Sequence, residues 1–274
     1  MTSLPKQKNR SSGHGWIILD KPVGISSAKA VAQVRRAFGG IKTGHAGTLD
    51  PLASGVLPIA LGEATKTISH VMTAQKSYEF SILWGAETQT DDAEGEITHT
   101  SDIRPSEADI QAVLPKFRGT IQQVPPDYSA VKISGKRAYT LAREANRKNT
   151  EASLSISLRP RDIQIESFEL LSCDSTSARF HVTCGKGAYI RSLARDLGRI
   201  LGSAAHVTAL RRLSVGKFNV SDAISLDLLG KVGHHPLAKS YITSIMTVLD
   251  DIPAVVIDEM QARKLRFGQA VLLT

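Results

Sequence analysis

Asp50 stands between Leu49 and Pro51 in a stretch with few other charges, Gly44-His45-Ala46-Gly47-Thr48-Leu49-Asp50-Pro51-Leu52-Ala53-Ser54-Gly55-Val56-Leu57-Pro58. Pro51 lacks a backbone donor and restricts the residue before it to extended conformations, while the glycines let the backbone approach a ligand closely. A carboxylate held rigidly in such a loop can act as a nucleophile at a sugar carbon or an electrophilic ring. An Asp before Pro also serves as a turn residue or helix cap, and spacing alone leaves both readings open. His45 has no Cys or acidic neighbour at metal-ligand spacing, which argues against zinc. The glycine pattern does not end in Gly-Lys-Ser/Thr, so it is not a phosphate-binding P-loop.

The chain around this loop has 274 residues, 34 Lys plus Arg against 26 Asp plus Glu, a formal charge of +8 and 42% hydrophobic residues. That apolar content excludes a wholly disordered chain. Two cysteines, Cys173 and Cys184, are too few for a disulfide framework or a four-ligand zinc site. No run approaches the ~18 apolar residues of a membrane span, and the first residues contain no signal-peptide core, so a cytoplasmic protein is expected. The charge is uneven. Positions 132–161 hold eight basic and two acidic residues, whereas 87–109 hold eight acidic and one basic. This polarity suggests one anion-binding face and one solvated face, with nucleic acid as the first partner to consider and plain solubility as the alternative.

The elements that must position Asp50 follow from periodicity. Gly15 to Asp20 reads as a short apolar strand. Ser26 or Ser27 caps a helix whose Ala30, Val31, Val34 and Phe38 share a face, ended by Gly39-Gly40. A loop is expected from Thr43 to Pro58, then a short helix from Gly62. Lys76 to Trp84 alternates Tyr78, Phe80, Ile82 and Trp84 with Glu79 and Ser81, a half-buried strand. Ser106 with Asp109 forms a capping-box pattern ahead of Ile110, Val113 and Leu114. A basic helix is expected over Ala138–Lys148, strands over Asp162–Leu171 and Ala178–Cys184, a helix from Ile190 closed by Gly202, and an extended segment from Val207 to Phe218. Ile252–Ile257 reads as a strand, Asp258–Phe267 as a short helix, and the residues after Gly268 as another strand. Strands and helices interleave without a regular βαβ beat. The expected class is therefore α+β, with a mixed, mostly antiparallel central sheet flanked by helices.

The run Gly44 to Lys66, GHAGTLDPLASGVLPIALGEATK, resembles the signature of the TruB-type tRNA pseudouridine synthases. Further blocks match in order: Leu19-Asp20-Lys21-Pro22, Lys76-Ser77-Tyr78, Pro125-Pro126-Asp127-Tyr128-Ser129-Ala130, Lys186-Gly187-Ala188-Tyr189-Ile190-Arg191, and His206 to Arg212. The resemblance covers roughly residues 15–220. It implies the pseudouridine synthase fold and isomerisation of a uridine, position 55 in the T-arm of tRNA, through a flipped-out base. It also implies Asp50 as nucleophile, with attack on base or sugar left open, Tyr78 stacking on the target base and able to move a proton, and Arg191 as the cation that favours an ionised carboxylate. Tyr189 and Leu210 match pocket residues, His45 a residue that fills the space left by extruded nucleotides, and Lys21 and Pro22 a pair beside the catalytic loop. No cofactor or metal is implied, and a monomer is expected.

Lys132, Lys136, Arg137, Arg143, Arg147, Arg211 and Arg212 are the candidates for holding RNA phosphates. The family usually carries an acid two or three places before the Asp-rich turn that ends in Glu94-Gly95, and the resemblance puts Gln89 in that position, leaving Arg191 a neutral partner unless Asp91 substitutes. The expected organisation is a basic tail (1–14), a catalytic domain (15–250), and an abbreviated or truncated C-terminal RNA-binding module of the PUA kind (251–274). The rival reading is an RNA-binding or tRNA-folding protein whose catalysis is secondary.

Overall fold

Trp16-Ile17-Ile18-Leu19 is apolar on both faces of any strand it forms, which predicts a strand covered from two sides. The computed structural model describes residues 13–129, 131–133, 135–148, 158–232 and 236–272, with the backbone alone at 132, 137, 143, 145–148, 232, 236 and 237. In β1 (Gly15–Lys21), Ile17 and Leu19 face a large core, and Trp16 and Ile18 face a smaller one on the other side. The chain continues through α1 (Ser27–Ala37), β2 (Thr43–His45), β3 (Ala53–Leu61), α2 (Ile68–Thr73), β4 (Lys76–Trp84), β5 (Ala86–Thr88) and β6 (Ile97–Thr100). It then forms α3 (Glu107–Val113), β7 (Gly119–Gln123), β8 (Lys132–Ile133), β9 (Lys136–Arg137), α4 (Ala138–Lys148), β10 (Arg161–Cys173) and β11 (Ser177–Cys184). The last elements are α5 (Ile190–Ile200), β12 (Ala205–Val215), β13 (Phe218–Asn219), β14 (Ile224–Ser225), α6 (Leu226–Val232) and α7 (Glu259–Arg266).

Among the described residues, one ten-stranded sheet runs in the order β14-β1-β3-β12-β4-β11-β10-β7, with β2 on β3 and β13 on β12. Only β1 with β14 and β3 with β12 pair in parallel, so the mixed, mostly antiparallel expectation holds. The alternation read in β4 is real: Tyr78, Phe80 and Ile82 are buried. Phe80 packs on Phe180 at a centroid distance of 5.3 Å and on Phe168 at 5.9 Å. Among the described residues no helix is long and apolar enough to cross a membrane.

Three expectations are corrected. The loop read over Thr43 to Pro58 is mostly strand, because β2 and β3 take both its ends. Pro58 obscured this. It sits between the last β3 residue paired with β12, Gly55, and the first paired with β2, Ile59, so its missing N–H interrupts neither of these two ladders. The strand read over Ile252–Ile257 is irregular, with Val256 96% exposed, and no strand follows Gly268 among the described residues. An exposed β-branched run without a neighbouring ladder satisfies its backbone groups with water and need not hold strand geometry. The acidic stretch is a solvated face only in part: Glu94, Glu96, Asp102, Glu107 and Asp109 are exposed, while Glu87, Asp91 and Asp92 are buried against arginines of α5. Residues 1–12 of the basic tail lie outside the described residues.

The parallel pairing of β3 with β12 depends on Gly55. Its φ is +102°, and a Cβ there would stand 2.1 Å from the Arg212 carbonyl oxygen. Backbone cannot yield as a flexible side-chain tip can. Gly55→Ala is expected to destabilise the protein by roughly 3 kcal/mol or more, read as the shift of the denaturant-unfolding midpoint. A stability within about 1 kcal/mol of wild type would contradict this close approach.

Candidate active site

The catalytic loop is held from three sides before Asp50 makes any contact. Ser26 caps α1, accepting from Lys29 N, which frees Ser27 for another task. Buried Ser27 Oγ donates to Leu49 O and accepts from Leu49 N, both at 2.8 Å. Lys21 Nζ, fully buried, donates to Pro22 O (2.9 Å), Ile25 O (2.8 Å) and Pro51 O (3.5 Å). Burial pulls its ammonium down to about 8, and the negative charge of Asp50 opposes that shift. Arg212, also buried, donates Nε to Val56 O (2.7 Å) and its two terminal nitrogens to Thr48 O (3.4 Å) and Gly47 O (3.0 Å). Two buried cations thus saturate backbone carbonyls on either side of Asp50, the arrangement that makes a buried charge tolerable.

Arg191 lies in the first turn of α5 and is itself buried. Its Nη2 meets Asp50 Oδ2 at 2.9 Å, and the Asp50 side chain keeps 37% exposure, so the carboxylate remains reachable. The guanidinium is fixed by donation to Thr90 O (2.7 Å) and Tyr128 O (3.0 Å), and its Nε lies 3.6 Å from Asp92 Oδ2. The other Asp92 oxygen accepts from Thr90 Oγ1 (2.5 Å) and Glu94 N (3.0 Å). The acid facing Arg191 is therefore Asp92, not Gln89 or Asp91. Asp91 turns away to Arg195 at 2.9 Å, and burial pushes its carboxyl up to about 6.

Asp50 and Arg191 open onto a cleft of about 670 Å³, also lined by Tyr78, Tyr189, Leu210 and Lys76. Burial raises the Tyr78 phenol, and the positive charge of Arg212 opposes that shift. Tyr189 is fixed through its backbone: Gln123 Oε1 accepts from Tyr189 N (2.8 Å), and Gln123 Nε2 donates to Tyr189 O (3.1 Å). Burial raises the Tyr189 phenol as well. Lys76 Nζ donates to Met72 O (2.7 Å) and Ala74 O (2.5 Å) at the end of α2, and burial pulls it down to about 8.

Not every expected site residue joins this cleft. His45 is half-buried on β2 and does not line it, nor does exposed Pro22. Lys21 is too buried to touch a substrate and supports the loop instead. Arg212 is not a phosphate ligand, because its place on β12 turns it inward. Arg211 points to the opposite sheet face, where it donates to both Asp20 oxygens at 3.0 and 2.8 Å. The side chains of Lys132, Arg137, Arg143 and Arg147 lie outside what the structure describes. Ser27, Asp92, Gln123 and Arg195 were missed as site residues. A glutamine at a strand end and an arginine one helical turn after Arg191 were the available signals.

Residues 35–190 match the TruB family pseudouridylate synthase (N terminal domain), and residues 191–252 match the tRNA pseudouridylate synthase B C-terminal domain. The chain is 48% identical over 274 residues to tRNA pseudouridine synthase B of Bradyrhizobium diazoefficiens, covering 97% of this chain and 77% of that protein. It is 47% identical to tRNA pseudouridine synthase B of Rhodospirillum rubrum, covering 98% of this chain and 85% of the relative. A solved Cbf5-Nop10-Gar1 complex contains a chain that superposes with a TM-score of 0.69 at 28% identity, over 93% of this chain and 68% of the other. An H/ACA RNP bound to a substrate RNA containing 2'-deoxyuridine gives 0.67 at 26% identity, over 94% and 68%.

Proposed function

Because this chain belongs to the TruB family of pseudouridylate synthases and isomerises uridine to pseudouridine in tRNA, we propose that it acts on uridine 55 of the T-arm, with Asp50 as the nucleophile. The observation that carries this reading is the 2.9 Å ion pair between Asp50 and Arg191, opening onto a cleft lined by Tyr78, Tyr189 and Leu210. In the reaction the N1–C1′ bond breaks and a C5–C1′ bond forms. A proton leaves C5 and one is taken up at N1, so atoms and electrons balance within the nucleoside. A base stacked in an RNA loop must first be extruded, at a cost of a few kcal/mol. The apolar and aromatic walls of the cleft replace that stacking, with Tyr78 against the target base and Tyr189 and Leu210 around it. Burial raises the Tyr78 phenol, which suits it to a stacking role rather than to acting as a standing base.

Lys21 and Arg212 set the loop, and His45 sits behind it to take up space vacated by the extruded nucleotides. The basic side chains of 132–147 supply a sequence-independent grip on phosphate. Residues 15–250 form the catalytic unit and 251–274 belong to a C-terminal RNA-binding module. The chain acts as a monomer. The test is incubation with unmodified tRNA followed by mapping of pseudouridine by position. The expected result is a single pseudouridine at position 55, also formed in an isolated T-arm hairpin. Modification confined to other positions would overturn the T-arm assignment.

A further inference from the structure

Three arginines of α5, one turn apart, each meet an acid from the segment after β4: Arg199 meets Glu87, Arg195 meets Asp91 and Arg191 meets Asp92. The middle pair is the one whose partners bracket the reacting centre. Arg195 Nη1 donates to Asp91 Oδ2 at 2.9 Å, while its Nη2 donates to Val124 O at 2.8 Å. Its fork therefore ties together two loops. The first presents Thr90 O and the Asp92 carboxylate to Arg191, and the second runs from Val124 to Tyr128, whose carbonyl is the other fixed acceptor of Arg191.

Asp91 also adopts a φ of 59°, the one positive value at a non-glycine residue among the described residues. A left-handed residue costs roughly 1–2 kcal/mol and persists where its surroundings hold it. Here it reverses the chain so that Asp91 reaches Arg195 while Thr90 and Asp92 on either side reach Arg191. Two backbone bonds clip the turn to β12, Val207 N to Asp91 O (3.1 Å) and Ala93 N to Val207 O (2.9 Å), but neither reaches toward α5. Both members of the ion pair are 8% exposed; Arg195 also donates Nε to Asp196 Oδ1 at 2.9 Å, so the Asp91 carboxylate relies on Arg195 more than the reverse.

We propose that Asp91 and Arg195 form a positioning pair that sets the guanidinium of Arg191, and through it the carboxylate of Asp50, without touching substrate. This rests on the reading of Arg191 as the partner of the nucleophile. Single-turnover pseudouridine formation at saturating tRNA, tRNA affinity and thermal unfolding are measured for Asp91→Asn, Asp91→Gly, Arg195→Gln, Arg195→Lys, the Asp91→Asn/Arg195→Gln double variant and Arg191→Lys. Rates are taken well below every unfolding midpoint. Asn tolerates the left-handed turn and Gly adopts it freely, so loss in both variants reports the missing carboxylate and not backbone strain.

Each neutralising single variant is expected to lose roughly tenfold in rate with tRNA affinity within about twofold. The double variant is expected to be no slower than the slower single, because one contact is lost in all three. Arg195→Lys, which keeps the charge on Asp91, is expected to be faster than Arg195→Gln. Rates within twofold of wild type in Asp91→Gly and Arg195→Gln beside a slow Arg191→Lys would overturn the positioning role alone. So would losses that multiply in the double variant or that appear as weaker tRNA binding. A fully active Arg191→Lys would overturn the assignment of Arg191 and this proposal with it.

Discussion

Asp50→Asn is expected to release no measurable tritium from tRNA labelled at uridine C5, a fall of roughly 10⁴-fold or more in single-turnover rate, while binding the same tRNA within about twofold of wild type. The two readouts separate because the side chain and the loop are held by different groups. The loop is fixed by Ser27 on Leu49, by Lys21 on Pro51 O and by Arg212 on Gly47 O and Thr48 O, and none of these contacts involves the Asp50 carboxylate. The amide preserves shape and removes the nucleophilic oxygen pair. Tritium release reports the proton lost from C5, so it follows the rearrangement itself and not the extrusion of the base. Turnover within about a hundredfold of wild type would remove Asp50 from the nucleophile's role. Equal loss of rate and binding would mean that the carboxylate organises the RNA site instead.

The second large effect is expected from Arg191→Lys, a charge-conserving change. The guanidinium reaches Asp50 Oδ2, Thr90 O and Tyr128 O at once, with Asp92 Oδ2 near its Nε. A lysine ammonium is a point charge on a flexible stem and cannot span acceptors arranged for a planar fork. The single-turnover rate is expected to fall by roughly 10²–10³-fold, the magnitude typical of a lost preorganised donor, with tRNA affinity unchanged within about twofold. A rate near wild type would show that positive charge alone suffices beside Asp50. A matching loss in affinity would place Arg191 in RNA binding rather than at the reacting centre.

Much of the sheet was legible because its strands carry their own burial pattern. Tyr78, Phe80 and Ile82 alternate with polar residues, and Trp16 to Leu19 is apolar throughout, so each identified a strand without tertiary knowledge. The caps were equally local: Ser26 ahead of α1, and Ser106 with Asp109 ahead of α3. Local pattern failed where a long-range partner decided the outcome. Pro58 and Gly55 read as loop residues, yet β3 accommodates both, Pro58 at a gap between two ladders and Gly55 where the Arg212 carbonyl approaches. Ile252 to Ile257 has strand composition and, among the described residues, no strand beside it.

The site divides along the same line. The sequence by itself determined a carboxylate pinned before proline, a lone tyrosine on a buried strand face, an arginine opening a helix and the motif order that marks the chemistry. Only the tertiary structure decided which charges serve that carboxylate. Arg211 and Arg212 are adjacent in sequence, but the pairing of β12 with β3 and β4 sends one to Asp20 on the open face and the other beneath the catalytic loop. Asp91 and Asp92 are adjacent as well, and the left-handed turn at Asp91 delivers one to Arg195 and the other to Arg191. Residue types are local, but the direction of a side chain depends on register and on a few backbone angles. Those are fixed by contacts between segments far apart in the chain.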